Sequence, residues 1–212
     1  MKHLLIIGAR GWGREVYAAA MDTLAYKNGE YDIKGFLDDK TDALDGLRGN
    51  FPPIIGPVET YEIKSDDVFF CALGDSFYRK KYVDIIIAKG GSFISIISPL
   101  AIINPTASIG NGTIICCNTV ISDNVVVGDH CALHDFITLG HDVKIGNFVS
   151  IEAYCFMGGY VDVGDMSAIH VRSTIIRHKK IGKNASVGAA SVVLRNVKDN
   201  TNVYGNPAKK IE

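Results

Sequence analysis

The chain has 212 residues, with 22 Lys and Arg against 23 Asp and Glu and a formal charge of −1. It carries no block of like charge, so nothing in the composition supports a nucleic-acid partner, and the N-terminal apolar run Leu4–Ile7 is too short for a signal peptide or a membrane span. The length suits one large or two small domains, and the five cysteines (Cys71, Cys116, Cys117, Cys131, Cys155) form no C-x-x-C pair, which fits a reduced, cytoplasmic setting.

Residues 1–95 alternate in type. His3–Gly8 is expected as a buried strand and Arg14–Lys27 as a helix. Tyr31–Leu37 and Val68–Leu73 are two further strands, Ser76–Lys89 a second helix, and Phe93–Ile96 an entry into a different, repetitive region. Strand–helix–strand order predicts a small parallel α/β sheet.

From Ile97 to Lys198 the period changes to six. Seventeen consecutive steps each begin with an aliphatic residue, from Ile97 and Ile103 through Leu133, Leu139, Ile145, Ile151 and Met157 to Val193. Neither a helix nor an ordinary strand has this period; a parallel β-solenoid of hexapeptide repeats does. The fifth residue of every step except Lys179 is small or β-branched, as at Val125, Cys131, Val149 and Cys155. The second is Gly in eight steps, where a glycine is expected to supply corner dihedrals that a Cβ opposes. Three steps make one coil of 18 residues in a triangular prism, and no insertion interrupts the run. Residues 18 apart therefore stack, about 4.8 Å from one another.

Two motifs carry chemistry. Gly8-Ala9-Arg10-Gly11-Trp12-Gly13-Arg14-Glu15 joins the first strand to the first helix, whose N-terminus offers free N–H groups to a phosphate. The second strand ends in Asp38-Asp39 at the same sheet edge, able to accept hydrogen bonds from a ribose or base. The spacing is G-x-x-G-x-G rather than the dinucleotide G-x-G-x-x-G, and a tight turn with no ligand is the plain alternative. In the solenoid, Leu139-Gly140-His141-Asp142 places an outward His beside an acid just past a corner. The plain alternative there is an ordinary exposed histidine.

Together the glycine turn, Asp38-Asp39, Leu73-Gly74-Asp75-Ser76 with Arg79, and the hexapeptide run resemble one family over nearly the whole chain. It is the bacterial sugar O/N-acyltransferases, which include sialic-acid O-acetyltransferases and UDP-4-amino-sugar N-acetyltransferases. The resemblance implies an α/β Rossmann-like domain over residues 1–95 and a left-handed parallel β-helix with a C-terminal tail over 96–212. It implies a cytoplasmic homotrimer with active sites between subunits. The activity implied is acetyl transfer from acetyl-CoA to a sugar, most simply to the nitrogen of a nucleotide-linked amino sugar used for surface glycan. Sugar O-acetylation is the alternative, and a catalytically silent nucleotide-sugar-binding solenoid a further one.

Carried over by motif, Arg10, Gly11, Trp12, Asp38, Asp39 and Gly74 face the sugar nucleotide. Trp12 stands where the family often has His, and Phe77 where it has a polar or acidic residue. His141 is the general base, as neutral imidazole with a pKa of about 6.5 suits, and Asp142 fixes its tautomer. Gly159, one coil on, offers its N–H to the acyl carbonyl. Ser150, Val171 and Ala189 match the coenzyme contacts, with Ser150 in place of a common His. Gly205-Asn206-Pro207-Ala208-Lys209 matches the usual ending, where the chain leaves the solenoid near the adenine end of the coenzyme.

His134, Glu152 and His170 are spaced 18 and 18, so they are expected as one outward column in which the carboxylate raises the histidine pKa values. A solvated stripe is the alternative. A zinc site of the kind found in solenoid carbonic anhydrases needs a third His at position 175, which is Ile, so no metal is expected.

Overall fold

The computed structural model describes residues 1–211. Contacts divide the chain into Met1–Pro99 and Leu100–Glu212.

In the first unit, strand β1 (Lys2–Ile7), helices α1 (Gly11–Asp22) and α2 (Leu24–Lys27), strands β2 (Tyr31–Leu37), β3 (Ile54–Gly56) and β4 (Asp67–Cys71), and helix α3 (Ser76–Ala88) succeed one another. The sheet is wholly parallel in the order β3-β2-β1-β4. The order reverses between β1 and β4, and this opens a crevice beyond their carboxyl ends, the usual ligand position of such sheets. The apolar runs Leu4–Ile7 and Val68–Cys71 are buried, as expected of strands covered on both faces.

Two expectations need correction here. The helix expected over Arg14–Lys27 is broken at Thr23, whose extended backbone ends α1 and caps α2 by accepting from the Tyr26 N–H at 3.2 Å. Its hydroxyl donates back to the Ala20 carbonyl at 2.8 Å, a bond that competes with helix continuation. Strand β3 was not expected; only three residues long, it lies next to β2 and has no alternation to read.

The second unit is the left-handed solenoid. Its two-residue strands form three parallel sheets, and every described pairing joins residues 18 apart until the last coil, for example Thr138 with Phe156 and Leu133 with Ile151. The first residues of the steps from Ile115 to Val193 are buried, with Val125, Ile137, Val143, Val149 and Val161 beside them at the fifth position. The column is less regular at its start. Ile97 is exposed and its neighbour Ile96 is buried instead, so the inward register begins at Ile103, which packs against the core half-buried.

The corners also differ from expectation. From Asn118 to Ala190 the left-handed residue is the fourth of each step: Asn118, Asn124, His130, Phe136, Asp142 and their successors have φ between 51° and 62°. The second-position glycines are not left-handed; they answer to space. On one corner, Gly110, Gly128, Gly146, Gly164 and Gly182 form an unbroken column. A Cβ on Gly128 would meet the Gly146 carbonyl oxygen at 2.7 Å. Beside it, Asp129 accepts from the Asn111 N–H at 2.7 Å, Asn147 from Asp129 at 2.9 Å and Asp165 from Asn147 at 2.9 Å. The side-chain ladder draws the coils together, and glycine leaves the room. Gly128→Ala is accordingly expected to cost about 1–3 kcal/mol by overpacking, with no backbone penalty, in a urea unfolding series. An unchanged midpoint would remove the steric reading.

The C-terminal segment does not leave the prism. Asn202–Tyr204 pairs parallel with Ser186 and Val187, then Lys209–Lys210 returns antiparallel along it, so a hairpin covers the last coil.

Candidate active site

In the first unit a cleft of about 450 Å³ opens where β1 and β4 end. Its walls include Gly8, Arg10, Trp12, Asp38, Asp39, Gly74, Tyr78 and Tyr82. Five of the six residues expected to face a sugar nucleotide therefore meet there. Gly11 does not. It is the first residue of α1 and lines a separate, shallower surface depression with Arg14, Glu15 and Phe51. Tyr78, Tyr82 and Glu59 were not expected. Tyr78 and Tyr82 sit one turn apart on α3, where a recurrence of like residues every three to four positions would have marked a lining face, but the helix has little of it.

Each part of the cleft has a local cause. Gly8 adopts φ +96°, and a Cβ there would press on Leu73 and on the Ala72 carbonyl. Gly13 is tighter still, since its Cβ would overlap the Gly8 carbonyl. Arg79, almost wholly buried, donates from Nη1 to the Leu73 and Gly74 carbonyls at 2.7 and 3.2 Å and so holds the opposite loop. Asp75 caps α3 by accepting from the Phe77 and Tyr78 N–H groups. Arg10 and Asp39 are exposed and 3.8 Å apart.

Asp38 has a structural task of its own. It accepts from the Ala9 N–H at 2.8 Å and the Lys40 N–H at 2.9 Å, and so ties the glycine turn to the end of β2. Burial pushes its carboxyl up, but these two N–H groups, aided by Asp39 and Arg10, leave it below the usual range. A depressed carboxyl stabilises the fold above its unfolded value of about 3.9, and that contribution is lost as pH falls through the folded value. Asp38→Ala should cost about 1–3 kcal/mol at pH 7, and the gap from the unaltered protein should close at acid pH. Unfolding titrations at several pH values test this; a gap independent of pH would refute it.

In the solenoid, His141 Nδ1 lies 2.8 Å from Asp142 Oδ2, and the imidazole side chain is 58 % exposed. Asp142 occupies a left-handed corner with φ 60°, which turns its carboxylate back toward its neighbour. Its Oδ1 accepts from Asn124 Nδ2 at 2.7 Å. Hydrogen bonds from His141 and Asn124 hold this carboxyl below the usual range, so it is charged at neutral pH. Tyr160 meets the imidazole edge-on, centroids 5.1 Å apart, and stacks on His178 at 4.8 Å. With Nδ1 engaged by the acid, Nε2 has no hydrogen-bond partner among the described residues, and it lies close to Gly159.

Gly159 lies against that ring. A Cβ on it would sit 2.7 Å from His141 Nε2. Its N–H has no acceptor among the described residues, but glycine is not the reason. The N–H of the third residue of a step lies outside the coil-to-coil ladder, which uses the second, fourth and sixth, as at Gly140, Asp142 and Lys144. What the glycine adds is room for the imidazole.

Ser150 and Val171 lie on successive coils, and Ala189 stacks on Val171. In the expected column Glu152 and His170 are in direct contact. His170 Nδ1 lies 2.9 Å from Glu152 Oε1, and Glu152 Oε2 accepts from the Val171 N–H at 2.9 Å. Burial raises the Glu152 carboxyl, but the His170 and Val171 bonds outweigh it and leave it below the usual range. Among the described residues no group of three or more His, Cys, Asp or Glu is placed to hold a metal, and no helix is long and apolar enough to cross a membrane.

Residues 3–86 match the family model described as the PglD N-terminal domain. The whole chain is similar to the acetyltransferase domain of PglB from Neisseria gonorrhoeae, 27 % identical over all of both chains with a TM-score of 0.87, a protein also solved with acetyl coenzyme A. It shares its fold with WeeI from Acinetobacter baumannii, 24 % identical over all of both chains with a TM-score of 0.85. It also shares it with the perosamine N-acetyltransferase of Caulobacter crescentus, solved with CoA and GDP-perosamine: 22 % identical over all of this chain and 98 % of that one, TM-score 0.87. No curated protein matches.

Proposed function

We propose that this chain, which belongs to the hexapeptide-repeat family of bacterial sugar acetyltransferases, moves an acetyl group from acetyl-CoA to the amino group of a nucleotide-linked sugar. The observation that carries the reading is the His141–Asp142 pair on the solenoid, with Nδ1 held at 2.8 Å and Nε2 open, in a chain whose other unit carries a cleft at its sheet's switch point. The amine attacks the thioester carbonyl carbon, and His141 Nε2 takes its proton as the new C–N bond forms. Asp142 stabilises the imidazolium. The Gly159 N–H faces the carbonyl oxygen as charge builds on it. Collapse breaks the C–S bond, and thiolate is a good leaving group that needs no strong acid.

In this reading Arg10, Trp12, Asp39 and Gly74 contact the nucleotide sugar, and Asp38 shapes the turn that does so. Ser150, Val171 and Ala189 border the acetyl-CoA groove. The GDP-perosamine bound by one similar protein, a perosamine N-acetyltransferase, supports an amino-sugar acceptor. The protein acts in the cytoplasm, in surface-glycan synthesis, as a homotrimer. One prism face supports the last point: its outward residues are Ile102, Val120, Thr138, Phe156, Thr174 and Val192, all uncharged, with Phe156 46 % exposed. The face with Lys144, Asp162 and Lys180 is charged.

The test mixes the protein with acetyl-CoA and a panel of UDP-, GDP-, dTDP- and CMP-linked sugars and tracks free thiol. Release with one amino sugar supports the proposal and names the acceptor. Release only with hydroxyl acceptors replaces it with O-acetylation, and coenzyme binding without release from any sugar favours a silent scaffold.

A further inference from the structure

We infer that Glu152 is an internal occupant of the coenzyme groove: its carboxylate caps the Val171 N–H until a carbonyl of the acetyl-CoA arm displaces it. This role rests on the acetyl-CoA reading above. One irregularity in the backbone points to it. On the corner that carries the His134, Glu152 and His170 column, the third residues of the steps on three successive coils are Ala153, Val171 and Ala189. The N–H groups of Ala153 and Ala189 have no acceptor among the described residues, whereas that of Val171 is taken by Glu152 Oε2 at 2.9 Å.

Glu152 is built to hold that position. Its other oxygen, Oε1, is 2.9 Å from His170 Nδ1, and His170 Nε2 is 3.2 Å from Ser186 Oγ. The chain of contacts spans three successive coils and fixes the imidazole at both nitrogens. Yet none of it is sealed from solvent. The Glu152 and His170 side chains are 41 % and 40 % exposed, and Val171 is exposed. The cap can therefore leave while the His170 bond stays, by rotation of the carboxylate.

What replaces it must be an acceptor. Val171 and Ala189 stack one coil apart, so their N–H groups form two donors at a spacing of about 4.8 Å along the prism. An extended chain bearing amide carbonyls, as the arm of acetyl-CoA does, satisfies both. A carboxylate is a stronger acceptor than an amide, so its departure costs part of the binding free energy. Glu152 thus holds coenzyme affinity down and acts as a positioning residue for the groove, not on the reacting atoms.

The test measures CoA binding by calorimetry and KM for acetyl-CoA. Glu152→Ala should bind CoA about three- to ten-fold more tightly, the worth of one net hydrogen bond, with most of the change in KM rather than kcat. Glu152→Gln, isosteric and still an acceptor but uncharged, should fall between that variant and the unaltered protein. Amide exchange at Val171 without coenzyme should quicken in the Ala variant. Weaker or unchanged binding by Glu152→Ala overturns the inference, because a merely supporting side chain would give that. Gln matching Ala overturns it too, by assigning the effect to charge. If the unaltered protein binds no CoA, the proposed function falls, and this inference with it.

Discussion

His141→Ala is expected to fold and to bind CoA normally while losing about three orders of magnitude in kcat, the usual worth of a positioned base. The fold survives because the imidazole is mostly exposed and rests on the surface: Asp142 at one edge, Gly159 beneath, Tyr160 against its side. Asp142 keeps the Asn124 bond, so removing the ring leaves no buried charge without a partner. Binding survives because the ring meets the acyl end of the coenzyme and not its long arm. Asp142→Asn should cost less but act by the same route: an amide that donates toward Nδ1 favours the tautomer with the proton on Nε2, where a base is needed. Thiol-release kinetics with the acceptor identified by the panel, alongside calorimetry with CoA, separate the two quantities. Undiminished turnover in His141→Ala would remove the base assignment.

Much of the architecture could be read because the solenoid repeats its constraints. An inward aliphatic every six residues has no other explanation, and the stacking of residues 18 apart is then a matter of counting. That is why His141 over Gly159, and Glu152 beside His170, could be placed from sequence. The failures occurred where the constraint is local or borrowed. The purpose of the second-position glycines lay in the coil stacked on them, as Gly128 under Gly146 illustrates, and not in their own dihedrals. Thr23 breaks a helix through one hydroxyl that a periodicity count does not weigh. Ile97 fits the six-residue period, but the burial belongs to Ile96. In the cleft, the glycine turn and Asp38-Asp39 were legible because strand ends gather at a switch point. Tyr78, Tyr82 and Glu59 were not, since each reaches the cleft from an element whose own pattern carries no signal. Nothing in the spacing could show that Glu152 turns one oxygen to a histidine and the other to a backbone amide.

The second large effect separates two roles of one glycine. Gly159→Ala keeps the backbone N–H that the mechanism offers to the acyl carbonyl, and the residue is not in the left-handed region, so alanine adopts its conformation without strain. The one thing it adds is a methyl group 2.7 Å from His141 Nε2, well inside contact distance. The imidazole is the only partner able to yield, because the Gly140 and Met157 backbone beside it is fixed in the coil ladder. It must rotate away from Gly159, which lengthens the bond to Asp142 and moves Nε2 from the attacking amine. A displacement of about 1 Å costs about a hundred-fold in rate when geometry governs the step. Gly159→Ala should therefore lose about that factor in kcat, with CoA affinity and unfolding midpoint little altered. If turnover persists, the glycine serves only through an N–H that any residue supplies, as the third residues of other steps do. If CoA binding fails as well, the methyl group blocks the thioester itself. A loss confined to kcat would assign Gly159 to the histidine, as the space in which the base keeps its aim.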